Sequence, residues 1–324
     1  MTTAPVDEAD PVEWVTARPA RLSDVIRRIF GFPVLLLDQR DLIQSSVKRE
    51  LEARFKGTLL GWLWPMMHPL FLFVVYYFIF TNLLSFKLGA NIPKGQESAL
   101  GIYMFVGIMV FSSVSDSLTR ASTSILDNGN LIKKLAFPSE ILPLNVTLVG
   151  LVTLLFGVGV FILMSVVTPI WTMPGWHLLW IPACLLLQAI FTYGIALLLG
   201  TLQVFLRDTA QIVGVLLTAW MFSTPLFWVP ELIQGTASEP STIDRWMPLI
   251  KANPMYHCVQ AWRGALMGDL HVYTDLTLTE IDKTPVSVDA VGDHLLAFAP
   301  WAVGAYILGY ALFVYSQRRF ADEV

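Results

Sequence analysis

Long stretches without a single charge alternate along this chain with short, charge-dense segments. No Asp, Glu, Lys or Arg occurs from Gly57 to Phe86 (30 residues), Ser98 to Ser115 (18), Ile141 to Leu206 (66), Thr209 to Pro230 (22) or His294 to Gln317 (24). A helix crossing the hydrocarbon core takes about 20 apolar residues. The longest run holds two such helices, split where Thr168-Pro169 through Pro174-Gly175 supplies helix breakers. The pattern predicts an all-α membrane protein with six transmembrane helices, at about 62–86, 99–121, 144–167, 178–204, 210–228 and 296–317.

Between these spans lie segments of a different kind. In Leu42–Phe55, Ile43, Val47, Leu51 and Phe55 recur every fourth residue, with charges on the other faces. That spacing predicts an amphipathic helix at the inner membrane surface over 38–56, after a tail at 1–37. Loop 125–143 contains a turn at Asp127-Asn128-Gly129 and a short apolar helix, Leu131–Phe137, ended by Pro138. Its apolar side chains need a cover, from lipid headgroups or from a docked cytoplasmic protein. In the fifth loop, 229–295, the apolar middle Trp246–Gly268 is interrupted by Pro248 and by Asn253-Pro254. Neither half reaches spanning length, which suits a re-entrant helix pair in the outer leaflet. The remainder, 269–293, is rich in Thr and Asp and reads as an outer cap with a small β excursion.

Composition agrees with lipid as the main solvent. Of 324 residues, 55% are hydrophobic and 14% charged, against about 45–50% and 25% in globular domains. Mean hydropathy is +0.61. A net charge of −4 offers no footprint for nucleic acid. Fifteen Lys and Arg fall on the side of the N-terminus and six on the other, so both ends are expected in the cytoplasm. The first residues, MTTAPVDEADPVE, are acidic and lack the apolar core of a signal peptide. Cys184 and Cys258 read as small buried hydrophobes.

The chemistry inventory is short. The chain has no GxxxxGK[ST], HExxH or GxSxG, and its five histidines suggest no metal cluster. No catalytic residue, cofactor or metal is expected. Asp116 and Arg120 stand at i, i+4 and are expected to pair. Aromatic residues crowd the first span (Phe73, Tyr76, Tyr77 and Phe80 at its middle) and the fifth (Trp220, Phe222, then Phe227 and Trp228). An interfacial belt does not account for those in mid-span. They serve either packing or a pathway for sugars, whose C–H faces stack on aromatic rings.

Five stretches carry a family resemblance, in order. They are Arg54–Pro65 (RFKGTLLGWLWP); Asn130–Pro138 with Glu140–Pro143; Phe205–Asp208; Pro225–Trp228; and Asn253–Met255 with Trp262–Leu266. Together they resemble the polysaccharide-export permeases of the ABC-2 type, the membrane subunits of O-antigen, capsule and teichoic acid exporters. The resemblance implies a permease in the bacterial cytoplasmic membrane that exports a lipid-linked polysaccharide. It implies a second copy of the chain and two copies of a P-loop ATPase, which holds the ATP and Mg. Asn130, Leu131, Ile132, Lys133, Lys134, Leu135 and Phe137 would dock on that ATPase. Lys48, Arg49, Arg54 and Lys56 would meet the lipid head, or else anchor the helix to anionic lipid. Phe73, Tyr76, Tyr77, Phe80, Trp220 and Phe222 would line a channel. Phe227, Trp228, Asn253, Pro254 and Arg263 would form its outer gate. The rival readings are an ABC-2 permease for a drug or small lipid, and a polytopic enzyme acting on lipid-linked sugars. The acidic tail and the segment 269–293 exceed the family's plain form.

Overall fold

The computed structural model describes residues 22–58, 64–79, 99–134, 138–167, 175–228, 242–268 and 291–323. These residues are helical throughout their regular elements. Helix α1 spans Leu22–Asp38, α2 Arg40–Phe55, α3 Trp64–Phe78, α4 Ala99–Asp127, and the short α5 Gly129–Lys134. Then follow α6 (Ile141–Val167), α7 (Ile181–Phe205, entered through a 3-10 turn at Trp176–Trp180) and α8 (Thr209–Ser223). The last are α9 (Met247–Ala252), α10 (Pro254–Met267), α11 (Val291–Ser316) and α12 (Phe320–Glu323).

Among the described residues, four segments are long and apolar enough to cross a membrane: Gly101–Asp127, Ile141–Val167, Trp176–Phe205 and Val291–Ser316. Six spans were expected. Helix α8 has 15 residues and stops at Ser223, because Thr224-Pro225 turns the chain away. Helix α3 has 15 described residues, and the rest of the expected first span lies outside the described residues. So does 269–290, where the β excursion was expected.

Helix α4 is the hub. It packs against α3, α6, α7, α8 and α10. The closest packing joins α7 to α11 at two glycines. A Cβ on Gly309 would occupy the place of the Gly194 carbonyl, and one on Gly194 would meet the backbone of Ala305 and Tyr306. Lipid tails are as apolar as the side chains, so helices in a bilayer gain little from burial and much from such backbone contact.

The N-terminal region differs from the expected tail. Residues 22–38 form α1, which lies on α11. Val25 and Phe32 are buried, with Ile29 and Leu36 packed beside them. The Phe32 ring stacks on Tyr193 at 5.0 Å and meets Tyr310 edge-on at 5.6 Å. Pro33 sits inside α1 and cannot donate to the carbonyl four residues earlier. That carbonyl, on Ile29, instead accepts the Tyr306 hydroxyl of α11 at 3.2 Å. In α2 the expected stripe faces inward: Ile43 is buried, and Val47 and Leu51 are half-buried.

Gly309→Leu is expected to force α7 and α11 apart and to lower stability by roughly 1–3 kcal/mol, the usual range for overpacking. Thermal unfolding in detergent checks this. An unchanged melting temperature would contradict the close crossing.

Candidate functional site

Three regions carry the residues singled out by the sequence. At one end of the bundle, α10 is tied to its neighbours by consecutive side chains. Arg263 is fully buried. Its Nε donates to the Tyr103 carbonyl at 3.1 Å, and Nη1 donates to the Pro225 carbonyl at 3.0 Å and to Gln260 Oε1 at 3.1 Å. Nη2 reaches the Leu226 carbonyl at 3.4 Å. The guanidinium carbon lies 3.3 Å from the centre of the Tyr103 ring. A Cβ on Gly107 would collide with Nη2, so this place in α4 is open to the guanidinium only because the residue is glycine. Arg263, expected at the outer gate, is thus buried and bonded to three segments of the chain.

Trp262, also fully buried, donates to Gln188 Oε1 of α7 at 2.7 Å. Gln188 Nε2 donates to Ser113 Oγ of α4 at 3.4 Å, and Ser113 Oγ donates to the Gly150 carbonyl of α6 at 3.0 Å. A polar relay thus crosses four helices in the core. Sequence reasoning missed Gln188, Ser113 and Tyr103, because their partners lie far away in the chain.

Asn253 performs two tasks. Its Oδ1 caps α10 by accepting from the Met255 N–H at 3.0 Å, with Pro254 at the first helical position. The same oxygen accepts the Trp220 indole N–H at 2.8 Å, and Nδ2 donates to Thr224 Oγ1 at 2.9 Å. The break between α9 and α10 falls where Asn253-Pro254 placed it, and it is bolted to the end of α8. Nearby, His257 Nε2 meets the Lys251 carbonyl at 2.7 Å and so must be the donor. Neutral His257 then accepts at Nδ1 from His294 Nδ1, 3.1 Å away. Burial lowers the His257 pKa below 6.5, the Lys251 charge adds to this, and the bond to the Lys251 carbonyl opposes it.

The second region comprises the aromatic faces of α3 and α8. Phe71 and Phe78 of α3 are exposed, as are Val215, Leu216 and Phe222 of α8. Phe222 and Phe227 lie 6.3 Å apart, both outward, and Trp228 is half-buried. Phe73 is not on this face. It is buried edge-on against Phe105 at 5.2 Å and belongs to the core. Trp220 is half-buried, with its ring against Phe111 and Phe191. The side chains of Tyr76, Tyr77 and Phe80 lie outside the described residues.

At the third region the four cations expected together are separated. Lys48, Arg49 and Lys56 are exposed, with Lys48 3.9 Å from Glu52. Arg54 turns inward and donates to Asp116 of α4 at 3.3 Å, with Glu50 at 3.8 Å. Asp116 also accepts from Arg120 at 2.9 Å, as their spacing predicted. Burial and then Arg120 pull the Arg54 pKa down, while Asp116 and Glu50 raise it. In α5, Asn130 and Lys133 are exposed and Leu131 is half-buried. The side chains of Ile132 and Lys134, and all of Leu135 and Phe137, lie outside the described residues. Cys184 and Cys258 are buried, as read from the sequence, and are free thiols.

A family model described as ABC-2 type transporter matches residues 41–267. The chain is 32% identical over 229 residues to the O-antigen export system permease protein RfbA of Myxococcus xanthus, covering 71% of this chain and 81% of that protein. Two RfbA permease proteins of Klebsiella pneumoniae are 27% and 28% identical, over 70% and 74% of this chain and 81% and 86% of theirs.

Two outcomes are expected. Arg263→Lys keeps the charge but not the fork that reaches several carbonyls. It should cost on the order of 3 kcal/mol, read as a lower melting temperature in detergent. The pH dependence follows from His257, whose pKa is lower folded than unfolded. Its contribution is present above the unfolded value of about 6.5 and is lost as pH falls below it. His257→Gln should flatten the fall of melting temperature between pH 7 and 5, and an unaltered slope would assign that dependence elsewhere.

Proposed function

The chain belongs to the ABC-2 type transporter family, a family of multi-pass membrane transport subunits. From that premise we propose that it is the permease of a bacterial exporter of lipid-linked polysaccharide. The observation that carries the reading is the likeness to O-antigen export permeases over about 70% of the chain, within a family match that takes in α2 through α10. The chain has no P-loop of its own, so ATP and Mg belong to a separate ATPase, one copy for each of two permease copies.

In this reading both termini are cytoplasmic, in keeping with the distribution of Lys and Arg. The segment Asn130–Phe137 docks on the ATPase. Exposed Asn130 and Lys133 support that role, and α5 rests on the C-terminal α12, which gives it a firm base. ATP-driven closure of the partner pushes α5, and α4 carries the displacement toward α10.

The exposed aromatic faces of α3 and α8 meet those of the second copy and line the path of the glycan. Large apolar side chains at Phe71, Phe78, Phe222 and Phe227 remain uncovered in the single chain, and a second copy is what would cover them. The α9–α10 pair dips into the outer leaflet and closes the outer end. Only the edge of the expected gate, Phe227 and Trp228, moves. Asn253 and Arg263 hold the frame, since their hydrogen bonds are already filled within the chain.

The test is co-purification of the tagged chain from its native membrane under gentle extraction. A P-loop ATPase should accompany it in equal amount, and Leu131→Asp should reduce that amount at least fivefold while the permease remains in the membrane. Phe222→Ser with Phe227→Ser should keep the ATPase but abolish surface polysaccharide. Recovery of the permease with no ATPase would overturn the reading.

A further inference from the structure

The loop that carries α5 stands on two feet, Ile125 near the end of α4 and Ile141 at the start of α6. Both are fully buried. They meet in an apolar cluster that the two ends of the chain complete, with Val25 and Phe32 from α1, Phe313 from α11 and Phe320 from α12. Polar bonds tie the second foot to three further segments. Gln317, just past α11, donates from Nε2 to Ser139 Oγ at 3.1 Å. Its Oε1 accepts from Arg28 Nη1 of α1 at 2.6 Å. The Tyr193 hydroxyl of α7 donates to the Glu140 carbonyl at 3.2 Å. Ser139 is only 2% exposed, so its bond to Gln317 is made away from water.

The Arg28 guanidinium has no acceptor, so it holds the oxygen of the Gln317 amide toward itself and thereby aims the NH2 group at Ser139. Beyond Gln317, α12 packs on α5. The segment after α11 therefore touches the short helix and the exit of its loop together. A loop held at one foot yields when it is pushed, whereas a loop held at both delivers the push to both helices. Helix α6 packs in turn against α2, so a displacement that reaches Ser139 reaches α2 as well. We propose that Gln317 is a positioning residue for coupling: oriented by Arg28, it braces Ser139 so that a stroke of the ATPase on α5 enters α6 and α2 in addition to α4. The proposal deepens the exporter reading and rests on its docking segment.

The test compares Gln317→Leu and Gln317→Glu in the full permease–ATPase complex. Leucine occupies similar space and makes neither bond. Glutamate accepts from Arg28 with one oxygen and from the Ser139 hydroxyl with the other. Gln317→Leu should reach the membrane, co-purify the ATPase in unchanged amount and keep ATP hydrolysis by the purified complex. Carbohydrate on the surface of washed cells should nevertheless fall about fivefold, the scale of one hydrogen bond. Gln317→Glu should restore most of it. Ser139→Ala should give the same loss as Gln317→Leu, and the double variant no more than either alone, because both remove one bond. Unchanged surface carbohydrate in Gln317→Leu, an equal loss in Gln317→Glu, or additive losses in the double variant overturn the proposal. So does loss of the ATPase from the Gln317→Leu complex, which would make Gln317 part of the docking surface. Should Gln317→Leu not reach the membrane, Ser139→Ala decides alone by the same readings. A wild-type chain that recovers no ATPase fails the exporter reading instead, before any variant is compared.

Discussion

A charged guanidinium sealed inside an apolar bundle must have its donors filled, and Arg263 fills them from three segments at once. The Tyr103 carbonyl belongs to α4, the Pro225 and Leu226 carbonyls to the turn after α8, and Gln260 to its own helix. Any rearrangement that separates these segments strands a cation or a carbonyl in a place without water, at a cost of several kcal/mol. The end of α8, the start of the Pro225 turn and α10 are thereby held as one block. Asn253 adds a second bolt to the same block through Trp220 and Thr224.

The block is coupled to the rest of the bundle through the next side chain. Trp262 reaches Gln188, Gln188 reaches Ser113, and Ser113 reaches Gly150. Each helix in this relay meets the next through a directed bond, so α4, α6, α7 and α10 are fixed in rotation as well as in position. In a lipid-embedded bundle apolar contacts are nearly isotropic, and such polar links confer register. Helix α4 meets both buried arginines, Arg263 at the Tyr103 carbonyl and Arg54 at Asp116.

What could be read from the chain were features of local period and local chemistry. The runs without charge gave the long helices, Asn253-Pro254 gave the break, and the spacing of Asp116 and Arg120 gave their pair. What could not be read were pairings across long separations. Arg54 meets Asp116 over 62 residues, and Trp262 meets Gln188 over 74. Helix α1 lies within the expected tail: it contains Gly31 and Pro33, both poor helix formers, although Val25, Ile29, Phe32 and Leu36 follow helical spacing. Phe73 looked like its exposed neighbours because an aromatic run does not reveal which face of its helix is buried.

The carbonyl freed by Pro33 links two distant positions in a way that reaches beyond this one chain. Proline at 33 leaves the Ile29 oxygen open, and the Tyr306 hydroxyl closes it. An ordinary residue at 33 would restore the helical N–H and make that hydroxyl superfluous. Loss of the hydroxyl alone would leave the proline without its remedy. The two sites should therefore drift together over evolutionary time, with phenylalanine tolerated at 306 chiefly in lineages that have abandoned proline at 33.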